Sequence, residues 1–201
     1  VLDTFSVTPN YDLDLMKKNQ SLVELTNNIL SGISGVIDRY KPDLVLVHGD
    51  TTTTFSASLA AYYKKIKVGH IEAGLRTDDI YSPWPEEINR KIVDHTSDIN
   101  LTYSAIAREY LIQEGIDKDM VINVGSPIGE VLDYHKNEII SSKIMQKLNL
   151  EHEKYFLVSA HREENIENPI LFNRLINSLN SLSNDYEIPI IFSTHPRTKN
   201  K

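Results

Sequence analysis

Six short apolar runs alternate with segments of helical periodicity along this chain, and that alternation restricts the fold more than any other feature. Leu44-Val-Leu-Val47 is continuously apolar, as expected of a strand covered on both faces of a parallel sheet. Val68–Ile71, Ile99–Tyr103, Val121–Val124, Tyr155–Ala160 and Ile188–Ser193 read as further strands. Between them lie predicted helices. Ser21–Tyr40 places Leu22, Leu25, Ile29, Ile33, Val36 and Ile37 at helical spacing, and Lys41-Pro-Asp43 closes it. Thr51–Thr54 reads as a strand-to-helix turn, because β-branched residues lose χ1 freedom inside a helix; Ser56–Lys65 then carries the helix. Pro83 and Pro85 suit a loop entering a helix over Glu86–His95. Ser104 caps a helix to Glu114 that Gly115 ends, Gly125-Ser-Pro127 starts one to about His135, and Pro169–Leu182 is the last. Strand–helix alternation of this kind predicts an α/β protein with a Rossmann-like, doubly wound parallel sheet. From Asn137 to Lys154 the chain turns polar and strand signals stop, which predicts a boundary between domains 1–138 and 139–201. The chain starts without Met and stops just after a strand, so a segment of a longer protein with an unfinished second domain is expected.

Ligands of open α/β sheets bind beyond the carboxyl ends of the strands. Three polar blocks fall there: Val47–Thr54, His70–Arg76 and Pro83–Arg90. They deliver Asp50, Glu72 and Glu86 towards one rim, with His161 and His195 following later strands. Carboxylates gathered at such an edge point to proton chemistry on a bound small molecule, and the following helix N-termini offer N–H groups to an anion such as a diphosphate. Neither Gly-x-Gly-x-x-Gly nor a Walker loop occurs, so nothing supports NAD or ATP chemistry. With no cysteine, thiolate ligands and cysteine nucleophiles are excluded, and His48, Glu72 and His161 lack a metal-ligand spacing; no metal or other cofactor is expected. A net charge of -7 argues against nucleic-acid or anionic-membrane partners. No apolar run could span a bilayer and no signal peptide is visible, which makes the cytoplasm the default compartment. Each residue also has a plainer reading. Asp50 could cap a turn, Glu86 and Glu87 could complement a helix dipole, His70 and His95 could be structural, and His161–Asn165 could open a solvated helix. The residues alone describe an α/β protein with an acidic, histidine-bearing ligand cleft.

Taken together, His48-Gly-Asp-Thr-Thr-Thr-Thr54, Gly69-His-Ile-Glu-Ala-Gly-Leu-Arg-Thr77, Tyr81-Ser-Pro-Trp-Pro-Glu-Glu-Ile-Asn-Arg90 and Ala160-His-Arg-Glu-Glu-Asn165 resemble the non-hydrolysing UDP-N-acetylglucosamine 2-epimerases, in order and approximate spacing. The resemblance implies a two-lobed fold of the glycosyltransferase-B type, with this chain holding most of the first lobe and the start of the second. It implies interconversion of UDP-GlcNAc and UDP-ManNAc, by loss of the C2 proton with elimination of UDP and its re-addition, for surface polysaccharide precursors. It also implies a UDP-N-acetylhexosamine substrate, no cofactor and a homodimer. By matching motifs, Asp50, Glu72 and Glu86 would share C2 proton transfer and sugar contacts, and His161 would sit against the leaving group. Arg76, Arg162 and His195 would complete the substrate site. The family's N-terminal Gly-Thr-Arg-Pro-Glu block is absent. His161-Arg-Glu-Glu-Asn165 replaces the frequent His-Arg-Arg-Glu-Asn; this form, with Gly125-Ser-Pro127 and Ser193–Arg197, is similar to epimerases of 6-deoxy UDP-sugars. Thr51–Thr54 and Tyr81–Pro85 are similar to the UDP-GlcNAc enzymes. The rival readings are a glycosyltransferase of the same architecture and a non-catalytic segment that binds nucleotide sugars.

Overall fold

Helix α1 (Leu22–Tyr40) begins where Ser21 Oγ accepts the Glu24 N–H, and it ends at Lys41, whose left-handed conformation returns its N–H to the Ile37 carbonyl. The structure is a computed structural model and describes residues 2, 5–17, 20–159 and 168–193. After α1 come β1 (Leu44–His48), α2 (Thr52–Tyr63), β2 (Lys67–Ala73), α3 (Glu86–Thr96), β3 (Ile99–Thr102), α4 (Ala105–Gln113) and β4 (Val121–Asn123). Then follow α5 (Ile128–Tyr134), α6 (Lys136–Ser141), α7 (Ile144–Lys147), β5 (Phe156–Ser159), α8 (Pro169–Tyr186) and β6 (Ile190–Ser193). The chain separates into two compact units, Val1–Glu130 and Val131–Lys201.

In the first unit, β1-β2-β3-β4 form one parallel sheet in that order, so every connection is a crossover that carries a helix. The main core lies between this sheet and α1, α2 and α3, where Ile37, Val47, Ala57, Ala60, Ala61, Val68 and Val93 are buried together. Small side chains let α2 fit into that layer, and its buried hydroxyls are satisfied within the helix: Ser56 donates to the Thr52 carbonyl and Ser58 to that of Phe55. A second cluster joins Ala73, Leu111 and Val121 where α4 packs on the sheet. There Gly74, at φ +82°, brings its Cα so near α4 that a Cβ would stand 2.4 Å from the Ala107 carbonyl oxygen. No side chain fits that crossing.

The structure moves several boundaries: α8 runs on to Tyr186 rather than ending at Leu182, β6 starts at Ile190 rather than Ile188, and two further changes lie at the rim. Helix α2 starts at Thr52, not Ser56, because Thr51 is its N-cap and accepts from the Thr54 N–H at 3.2 Å. Capping and the bonds of Thr54 described below offset the β-branched cost within the first turn. Strand β2 runs on to Ala73, with its register against β3 shifting between Ile71 and Ala73.

In the second unit β5 and β6 pair in parallel, and Phe156 meets Tyr186 of α8 edge-on at 5.5 Å between ring centroids. The polar stretch after Asn137 holds the short helices α6 and α7, which lack the apolar periodicity needed to announce them. Among the described residues no helix is long and apolar enough to cross a membrane.

Candidate active site

The first polar block forms the turn from β1 into α2. Gly49 has φ +71°, its N–H donates to the Ile71 carbonyl at 2.9 Å, and it brings Asp50 out at the carboxyl edge of the sheet. The Asp50 carboxylate accepts from Arg90 Nη2 and remains 26% exposed, which leaves a face open to a ligand. Glu72 stands beside this turn. It adopts φ +70° at the β2 register shift, an unusual backbone for a residue with a side chain, and its Oε2 would lie 3.3 Å from a Cβ added at Gly49. Gly49 thus serves two needs, a left-handed turn and room for the neighbouring carboxylate.

His48 Nε2 lies 3.7 Å from Glu72 Oε2 and 2.9 Å from the hydroxyl of Tyr103, which follows β3. Burial, reinforced by the Glu72 charge, raises the Tyr103 phenol above its usual value, so it stays protonated and can donate. Glu86 is the first residue of α3 and is partly buried, and its carboxylate has no hydrogen-bond or ion-pair partner among the described residues. Arg90, one turn further along the same helix face, grips Asp50, and so α3 carries Glu86 towards the same edge.

Arg76 goes elsewhere. Its side chain is 2% exposed, and the guanidinium is bound in a fork to Glu114, Nε to Oε1 at 2.7 Å and Nη2 to Oε2 at 2.6 Å, while Nη1 donates to Asp94 Oδ2 at 2.8 Å. Burial opposes its charge, but the hydrogen bonds and charges of Glu114 and Asp94 outweigh that and raise its pKa further. Asp94 also meets His70 Nδ1 at 2.7 Å, and both side chains are fully buried. His70 is therefore a buried, paired side chain at the base of the turn. His161, Arg162 and His195 lie outside the described residues.

Several side chains of this rim carry no clear sequence signal. Glu87, expected as a first-turn acid, is fully buried; it accepts the Thr77 and Asp78 N–H groups and pairs with Lys91 at 3.3 Å. Burial pushes the Glu87 carboxyl up, yet those N–H groups, Lys91 and Arg90 together hold it below its ordinary value. The hydrogen bond from Arg76 lowers Glu114 likewise, against partial burial. The available signal was the spacing of Glu87, Arg90, Lys91 and Asp94, one polar stripe at helical period that faces inward. Tyr103 could have been marked by its place just beyond a strand's carboxyl end.

The two lowered carboxyls fix the sign of an acid response. Each contributes stability that is fully present above the ordinary glutamate value of 4.5 and is lost as pH falls through the lower folded value. Denaturant titrations of the full-length protein at descending pH should show stability declining below that point, and Glu87→Gln should make the decline shallower. An unchanged slope in the variant would remove Glu87 from the acid response.

A family model described as UDP-N-acetylglucosamine 2-epimerase matches residues 1–201. A UDP-N-acetylglucosamine 2-epimerase of Neisseria meningitidis is 44% identical over 171 residues, covering 82% of this chain and 46% of the relative. One from Escherichia coli is 37% identical over 203 residues, covering 97% of this chain and 54% of the relative. Among solved structures, a UDP-GlcNAc 2-epimerase from Neisseria meningitidis bound to UDP-GlcNAc superposes with a TM-score of 0.88 at 39% identity, over 99% of this chain and 56% of that one. The Methanocaldococcus jannaschii UDP-GlcNAc 2-epimerase in complex with UDP-GlcNAc and UDP gives a TM-score of 0.88 at 33% identity, over 99% and 54%. The chain spans about half the length of the curated relatives it matches. Its parallel α/β fold, the paired turns that present Asp50 and Glu72, and a match along all 201 residues place the chain in the UDP-N-acetylglucosamine 2-epimerase family.

Proposed function

We propose that the full-length protein is an isomerase that interconverts UDP-GlcNAc and UDP-ManNAc in the cytoplasm, as a homodimer, for surface polysaccharide precursors. Residues 1–138 supply most of its first lobe and 139–201 the opening of its second. The observation that carries the reading is Glu72, held in a left-handed conformation at the register shift of β2 beside the turn that presents Asp50. The named UDP-GlcNAc complexes of related epimerases support the choice of substrate.

C2 of the sugar has no adjacent carbonyl, so its proton is not acidic enough for simple removal. Elimination solves this: the C2–H and C1–O bonds break, C1=C2 forms, and UDP leaves with the bonding pair. UDP then adds back at C1 while a proton returns to the other face of C2. Acid/base groups are needed on two faces, which suits Asp50, Glu72 and Glu86, borne on the β1–α2 turn, the end of β2 and the start of α3. His161 is assigned to the departing diphosphate, where developing charge needs donors, with Arg162 assisting electrostatically and His195 as a further substrate contact.

Proton NMR of the full-length protein with UDP-GlcNAc in D2O tests this. Loss of the C2 proton signal with growth of a manno product is the expected result. Exchange with a 6-deoxy UDP-N-acetylhexosamine alone would change the substrate, and acceptor-dependent release of UDP without C2 exchange would make the protein a transferase.

A further inference from the structure

The His48–Gly49–Asp50 turn is held by side chains from three different elements, one on each successive carbonyl. Thr54 of α2 donates to the His48 carbonyl at 2.6 Å, His70 of β2 to the Gly49 carbonyl at 2.8 Å, and Asn89 of α3 to the Asp50 carbonyl at 2.9 Å. All three donors are buried residues: Thr54 is 5% exposed, His70 0% and Asn89 7%. Ordinary turns at a sheet edge leave such carbonyls to water. We propose that Thr54, His70 and Asn89 are positioning residues for Asp50, fixing the backbone from which its carboxylate reaches the substrate.

The proton arrangement supports this. A carbonyl oxygen can only accept, so Thr54 commits its hydroxyl hydrogen to His48. Thr51 Oγ1, 3.1 Å away, must then donate to Thr54 while accepting the Thr54 N–H. His70 likewise must carry its proton on Nε2. Its ring cannot turn away, because Nδ1 is hydrogen-bonded to Asp94 Oδ1 at 2.7 Å in full burial, and Arg76 holds the other Asp94 oxygen. Arg90 and Asn89 are neighbours on α3, so one helix grips both the backbone and the side chain of Asp50. The backbone of a reacting group must be held this closely because a displacement of about 1 Å can cost about a hundredfold in rate.

The inference rests on the reading of Asp50 as an acid/base group, and the two can fail separately. Thr54→Val keeps the shape and loses the donor, whereas Thr54→Ser keeps it. His70→Gln can place a donor at the former Nε2, whereas His70→Asn can place one only at the former Nδ1. In the full-length protein, measured by C2 proton exchange, Thr54→Val and His70→Asn should lower kcat by about ten- to a hundredfold with KM within about twofold. Thr54→Ser and His70→Gln should recover most of the loss. Should His70 variants not fold, the Thr54 pair, with Asn89→Leu as a third loss of donor, decides alone. Equal kcat for Thr54→Val and Thr54→Ser, or losses that follow the melting temperature with no recovery by the conservative variants, would overturn the positioning role. A wild-type protein that does not exchange the C2 proton would overturn the functional reading instead.

Discussion

Asp50→Asn in the full-length protein is expected to lower kcat for C2 epimerisation by about 10²–10⁴-fold, with KM changed much less. The substitution is nearly isosteric, and an asparagine Oδ1 can still accept from Arg90, while the backbone grips on His48, Gly49 and Asp50 are untouched. What disappears is a group able to take up and return a proton. Steady-state kinetics with UDP-GlcNAc, alongside a thermal melt that stays near wild type, separates chemistry from folding. Retention of wild-type kcat would remove Asp50 from proton transfer and leave it as a partner of Arg90 or a sugar contact.

Arg76→Met should act on the other side of that division, destabilising the full-length protein by about 3–5 kcal/mol, the usual consequence of removing one partner from a buried ion pair. The side chain is 2% exposed, and its guanidinium serves two carboxylates at once, the fully buried Asp94 and the partly exposed Glu114. Its loss leaves Asp94 with His70 and two long contacts from the Gly74 N–H, 3.3 and 3.4 Å. A fall in melting temperature on the order of 10 °C is expected. Motif matching put Arg76 among the substrate contacts; the structure gives it carboxylate partners within the first unit. A variant that melts like wild type but raises KM for the nucleotide sugar would return Arg76 to the substrate.

The two variants divide the rim motifs by depth. Asp50 and Glu72 keep 26% and 34% of their side chains exposed. Asp94, Glu87 and His70 have no exposure and make those groups hold still. Charged residues so placed would be costly if unpaired, and each here meets an opposite charge or an N–H donor.

The strand at Leu44–Val47, the helix over Leu22–Tyr40 and its closure at Lys41 are readable from the chain because their causes are local: side-chain period, caps and proline. The expected cover on both faces of that strand is corrected, since Leu44 and Leu46 are exposed and only Val47 is buried. The rim positions of Asp50 and Glu72 were readable for a related reason, since a parallel sheet sends every strand's carboxyl end to one edge. The inward polar stripe of α3, the junction of Tyr103 with His48 and the pairing of Arg76 with Glu114, 38 residues apart, were decided by tertiary packing. Whether a glutamate is a solvated first-turn acid, like the plain reading of Glu87, or a buried clamp depends on which loop folds over it, here Thr77–Asp78. Periodicity reports the face a residue occupies. Burial and partner, which set its charge and its role, come from chain segments distant in sequence.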